Sequence, residues 1–179
     1  MFVDWSNVEQ SEWANDLADR LVIAAHPNIA VCVLDTGATQ AHPLLSVALH
    51  PDDVHVYDPK WAGGDSHGHG TNMAGAALYG DLLPLLSGNQ AVAVTHCLES
   101  VKILADGVTN EPRLDGAITG ESIARAEVSS PTRRRAVCMA VTSDAGTNRG
   151  RPSSWSAAVD QLCFGDETTR RLILVSATA

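Results

Sequence analysis

Basic residues are scarce in this chain, and that scarcity removes a class of function. Twelve Lys and Arg stand against 21 Asp and Glu, giving a formal charge of -9 over 179 residues, a balance that opposes binding to nucleic acid by counterion release. The one basic cluster, Arg133-Arg134-Arg135, is too short to reverse it and reads as a solvated loop leading into a strand. No segment approaches the roughly 20 apolar residues of a membrane span. Met1-Phe2-Val3-Asp4-Trp5 lacks a basic region with an apolar stretch behind it, so the expectation is a cytoplasmic protein with neither nucleic acid nor membrane as partner. The sequence also lacks internal repeats, low-complexity tracts and clustered cysteines. Cys32, Cys97, Cys138 and Cys163 are far apart and three lie in apolar runs, the pattern of reduced thiols in a core.

Apolar periodicity supplies what composition does not. Trp13, Leu17 and Leu21, with Ala14, Ala18 and Val22 beside them, predict an amphipathic helix over 10–24, which Pro27-Asn28 ends. Ile29 to Leu34 is a continuous apolar run of the kind buried on both faces of a sheet. Further strands are expected at 54–57, 91–94, 99–104, 135–141 and 172–175. Helices are expected from near His69, over 118–128 and over 154–162, the last capped by Ser153 or Ser154. Strands alternating with helices predict an α/β fold, a doubly wound and mostly parallel sheet with flanking helices.

Within that frame Asp35 follows a buried strand directly, at the carboxyl edge where α/β sheets place their ligands. Gly37 permits a sharp turn there. His69 opens a helix whose Gly70, Thr71, Ala74 and Gly75 allow close packing, and the positive end of that helix favours the neutral imidazole a general base requires.

These residues resemble the subtilisin-like serine peptidases, the subtilases. Asp35 to Leu45 (DTGATQAHPLL) is similar to that family's aspartate motif, including its His42-Pro43, and His69 to Gly75 (HGTNMAG) to its histidine motif. Val101-Lys102-Ile103-Leu104 resembles the strand bordering its substrate cleft. Aspartate before histidine also matches the family's chain order. The resemblance implies one subtilisin-like domain over 1–179, with an N-terminal helical segment at 1–28 and the Asp- and His-bearing part of the core at 29–179. It implies that Asp35 orients the imidazole and that His69 moves the nucleophile's proton. Residues around Ala105 to Val108, Gly107 among them, and Ala140, Val141 and Thr142 would then offer backbone to an extended polypeptide substrate. No cofactor and no metal is implied.

The family's Gly-Thr-Ser-Met-Ala nucleophile motif does not occur in the sequence, and Thr178-Ala179 stand where its oxyanion Gly-Asn is expected. Losing one oxyanion donor costs about a hundredfold to a thousandfold in rate. The expectation is therefore a domain incomplete at its C-terminus and inactive alone, with an open edge at Leu172 to Val175 that self-associates or pairs with a complementary chain. The alternative is a catalytically dead subtilase-like fold serving as a binding or regulatory module. Other readings remain beside these. Asp35 could be a turn carboxylate, or the Asp-Thr-Gly of an all-β aspartic protease, and Asp65, His67 and His69 could hold zinc. His42 reads as a turn residue, and Ser153, Ser154 and Ser156 as cap and first turn of a helix.

Overall fold

The strand ending in Asp35 is the middle of the molecule, and the rest of the chain is arranged on either side of it. The computed structural model describes residues 5–142, 150–166 and 169–176, with backbone only at 25–27. Strands β1 (Leu21–Asp35), β2 (Leu49–Val56), β3 (Val92–Lys102), β4 (Arg134–Met139) and β5 (Leu172–Val175) form one sheet in the order β2-β3-β1-β4-β5. Every pairing is parallel. The order reverses at β1, so Asp35 ends the strand at the topological switch point, where open α/β sheets leave a crevice. Helices between parallel strands set this architecture apart from the all-β alternative.

Both faces of the sheet are covered, which is why its central strands read as unbroken apolar runs. Helix α2 (His69–Tyr79) lies on one face, where Ala74 packs with Val33, Leu45, Leu49 and Leu98. Helices α4 (Asp115–Ser129) and α5 (Ser154–Phe164) lie on the other, where Ile118, Ile123 and Ala126 meet Cys32, Leu34, Val101 and Met139. Each fully buried Leu or Ile is worth about 1.5–3 kcal/mol. Ser153 caps α5, accepting from Ser156 N at 3.0 Å while Ser156 Oγ accepts from Ser153 N at 2.8 Å, so these serines act as a capping box.

The N-terminal helix is shorter than its periodicity predicts. α1 is Asn7–Asp19, closed by a Ser6–Glu9 capping box, and the chain turns at Arg20 into β1. Leu21, Val22 and Ile23 pair with Val92, Ala93 and Val94, because β-branched residues facing an available strand gain more in the ladder than in a further helical turn. Arg20 fixes the corner by donating to Asp16, to Gln90 O and to Leu85 O, the last in the short helix α3 (Leu82–Ser87). Pro27 does not end the strand. The β1–β3 register is irregular between Ile23 and Ala30, and β4 joins only from Ile29 on, so the proline falls where ladder bonds are already interrupted. The two strands expected at 91–94 and 99–104 are one continuous β3.

The arginine triplet is not a solvated loop. Arg135 reaches Glu99 Oε2 at 2.6 Å and Glu99 Oε1 at 2.9 Å, and Arg133 joins Glu99 Oε1 at 2.9 Å to Asp53 Oδ1 at 2.6 Å. Arg135 also donates to Ala126 O and Ser130 O at the end of α4. Glu99 is fully buried and Asp53 nearly so, so two guanidiniums are drawn inward to satisfy them, and Arg134 alone of the three remains exposed. The cysteines are all free thiols, but only Cys32 is buried; the other three are partly exposed.

Candidate active site

The site is assembled from two turns that close on each other after β1 and before α2. Asp35 is wholly buried, and its Oδ1 accepts from Thr36 N at 2.7 Å and faces His69 Nδ1 at 2.8 Å. A carboxylate accepts, so the ring donates from Nδ1 and leaves the Nε2 lone pair outward. The His69 side chain is 46% exposed against 0% for Asp35, and no described residue hydrogen-bonds to Nε2. One nitrogen is thus anchored in the core while the other is presented at the surface. Asp35 Oδ2 is buried with no partner among the described residues, an unmet acceptor of the kind that folds retain at reactive sites.

Glycines let the two turns approach. Gly37 adopts φ 96° with its Cβ position 2.6 Å from Gly63 O, and a Cβ on Gly70 would overlap the carbonyl of Gly37. Any side chain there would drive the aspartate turn away from the histidine helix. Thr36 closes the gap that remains. Its Oγ1 accepts from Gly70 N at 2.9 Å and donates to Asp65 Oδ1 at 3.0 Å.

Asp65 is the centre of the histidine turn, a role that its sequence context did not reveal. It also accepts from His67 N at 3.0 Å, Gly68 N at 2.9 Å, Thr71 N at 2.8 Å and Thr71 Oγ1 at 2.7 Å. Burial alone would raise its pKa, but the donors from Thr71, Gly68 and His67 outweigh burial and hold it down at about 2. Both its oxygens are occupied by these donors, and His69 Nδ1 is occupied by Asp35. Among the described residues no cluster of His, Cys, Asp and Glu could hold a metal ion.

Neighbouring groups complete the surroundings. Lys102, beside Asp35 in the β1–β3 register, is buried and donates to Gly64 O at 2.8 Å. Cys138 lies opposite Val33 on β4, and burial, reinforced by the Asp35 charge, pushes its thiol pKa up. His42 accepts from Leu44 N at 3.2 Å through Nδ1 and so fixes its turn, and partial burial lowers its pKa.

Of the residues expected to hold substrate, Val141 and Thr142 line a cavity of about 230 Å³ with Ile103, Leu104, Val108 and Trp155. Gly107 makes the turn before Val108 at φ 70°, and Ala140 leads from β4 into Val141. The Trp155 indole N–H donates to Thr119 Oγ1 at 2.9 Å, fixing the ring between α4 and α5. Residues 143–149 of the polar loop, and Thr178 and Ala179 at the expected oxyanion position, lie outside the described residues.

Comparison with known proteins gives one match and two blanks. The model of the family described as the Subtilase family matches residues 26–178. Neither a curated protein nor a solved structure matches the chain.

Proposed function

The chain belongs to the subtilase family of serine-type peptidases, and from that premise we propose that Asp35 and His69 form the acid–base part of a peptide-hydrolysing site. The observation that carries this reading is the 2.8 Å contact between a wholly buried carboxylate and the Nδ1 of a half-exposed imidazole. As a serine oxygen attacks the scissile carbonyl carbon, Nε2 takes its proton. Asp35 holds the ring in the required tautomer and stabilises the imidazolium, and the same proton then passes to the leaving amine. Water repeats the sequence to release the acyl group.

The nucleophile is not one of this chain's serines. Ser153 and Ser156 are engaged in capping α5, and no serine stands in a Gly-Thr-Ser-Met-Ala context. The serine comes from residues beyond these 179, on the same polypeptide or on another, and the chain alone does not turn over substrate. Among the described residues β5 pairs only with β4, and Leu172 and Leu174 are 62% and 53% exposed. That open apolar edge is where the completing segment adds. The substrate is a polypeptide bound extended between 105–108 and 140–142, with one side chain in the cavity lined by Val141 and Trp155.

The test is reconstitution. The chain is co-expressed with a serine-bearing C-terminal segment of a subtilase domain, and hydrolysis of a chromogenic peptide is followed. Asp35→Asn should lower kcat about 10⁴-fold, the scale set by loss of the orienting carboxylate in other triads, and His69→Ala should lower it at least comparably. Equal activity in wild type and both variants would show that the pair is not catalytic. Tight peptide binding without turnover in a folded complex would favour the binding-module alternative.

A further inference from the structure

Asp65 differs from an ordinary turn carboxylate in the reach of its hydrogen bonds. Four of the five it accepts come from its own turn, at His67 N, Gly68 N, Thr71 N and Thr71 Oγ1, but the fifth comes from Thr36 Oγ1, 29 residues upstream. Thr36 is the residue after Asp35, and its backbone N–H donates to Asp35 Oδ1. The bonds form a closed circuit. It runs from Asp35 through Thr36 to Asp65, from Asp65 to Gly68 and Thr71 on either side of His69, and from His69 Nδ1 back to Asp35. A second strut, Gly70 N to Thr36 Oγ1 at 2.9 Å, crosses it.

We infer that Asp65 is a positioning residue for the Asp35–His69 pair: through Thr36 it clamps the aspartate turn to the first turn of α2, and so fixes where the His69 ring can lie. The inference deepens the catalytic reading of that pair and rests on it. Asp35 is wholly buried at the end of a central strand and cannot follow a displaced helix, whereas the His69 ring is half-exposed and is held by its own backbone and one hydrogen bond. The position of the α2 N-terminus therefore decides whether Nδ1 meets Oδ1, and misplacements of about 1 Å in such pairs cost about a hundredfold in rate. Asp65 suits the task because an anion at a helix N-terminus is stabilised by the macrodipole, and its donors are charge-assisted. Thr36 is suited as well: a single hydroxyl can donate to the carboxylate and accept from Gly70 at once.

The experiment reads the imidazole directly in the 179-residue chain, without turnover. Histidine is labelled with ¹⁵N, and the ring nitrogen shifts of His69 report which nitrogen carries the proton. Wild type should show His69 with the proton on Nδ1. Thr36→Val keeps the shape of the side chain but removes the shared hydroxyl, and Asp65→Asn removes the charge and the acceptor facing Thr71. Both should turn His69 into a mixture of tautomers and speed amide exchange at Gly70 by roughly tenfold, the equivalent of about one neutral hydrogen bond. Thr36→Ser, which restores the hydroxyl, should return both signals to wild type. The shifts of His50, whose Nδ1 accepts from Asp52 N within its own turn on β2, should not move in any variant. If Asp65→Asn does not fold, Thr36→Val with its Ser rescue decides the matter. A His69 ring that keeps its Nδ1 proton in folded Thr36→Val overturns the inference and leaves the peptidase reading standing. Failure of the reconstituted enzyme with these shifts as expected would do the reverse.

Discussion

The backbones of Gly37 and Gly70 meet so closely that a methyl group on residue 70 would overlap the carbonyl oxygen of Gly37. This contact brings the strand that ends in Asp35 against the helix that begins with His69. Gly70→Ala must separate them, and overpacking of this kind costs about 1–3 kcal/mol. Urea unfolding should show that loss, and the His69 ring nitrogens should show its separation from Asp35. An unchanged midpoint with an unchanged ring would mean that the two turns are not packed as described.

Cys138 reports on the neighbouring carboxylate. Burial and then the Asp35 charge raise its thiol pKa, so iodoacetamide should modify it slowly at neutral pH. Asp35→Asn removes the charge that opposes the thiolate, and alkylation of Cys138, mapped by mass spectrometry, should speed up with its pH profile displaced toward lower pH. A profile unmoved by that substitution would place the charge elsewhere.

Glu99 ties two arginines to the buried side of the sheet. It binds Arg133 and Arg135 while wholly buried, so Glu99→Leu strands the Arg135 guanidinium near the core, while Arg133 keeps its bond to Asp53. Breaking a buried pair from one side costs about 3–5 kcal/mol, and calorimetry should find a loss of that size. Arg134→Ala, an exposed neighbour, should change stability by less than about 0.5 kcal/mol.

Asp65 ties stability to acid. Its folded pKa is held at about 2, below the ordinary value of 3.8, so it contributes stability that is fully present above the unfolded pKa and is lost as pH falls through the folded one. The stability difference between wild type and Asp65→Asn should therefore be constant above about pH 5 and shrink between about pH 4 and 2. A difference that grows on acidification would reverse the assigned sign.

How much of this was legible beforehand depended on the range of the forces involved. The strand before Asp35, α2 and its histidine, the cap at Ser153 and the strand at 172–175 are set by local pattern, and each was readable from neighbouring residues. The helix expected over 10–24 went wrong beyond Asp19 because Leu21 to Ile23 find a partner in Val92 to Val94, about seventy residues on, which no local window contains. The arginine triplet departs from its local pattern for the same reason: Glu99 and Asp53 lie 34 to 80 residues away. In the site, the motifs exposed Asp35 and His69 as types in order. The clamp through Thr36 and Asp65 stayed hidden because its one diagnostic bond spans 29 residues.

In the proposed reading this chain supplies the acid–base pair, Asp35 and His69, and a separate segment supplies the serine. A fluorophosphonate probe, which marks only a serine activated by its base, tests both halves at once. The expected result is no label on the 179-residue chain alone, label on the added serine-bearing segment once the two are combined, and none when the combined chain carries His69→Ala. Labelling of the chain by itself, lost on His69→Ala, would place the nucleophile within these 179 residues and overturn that reading.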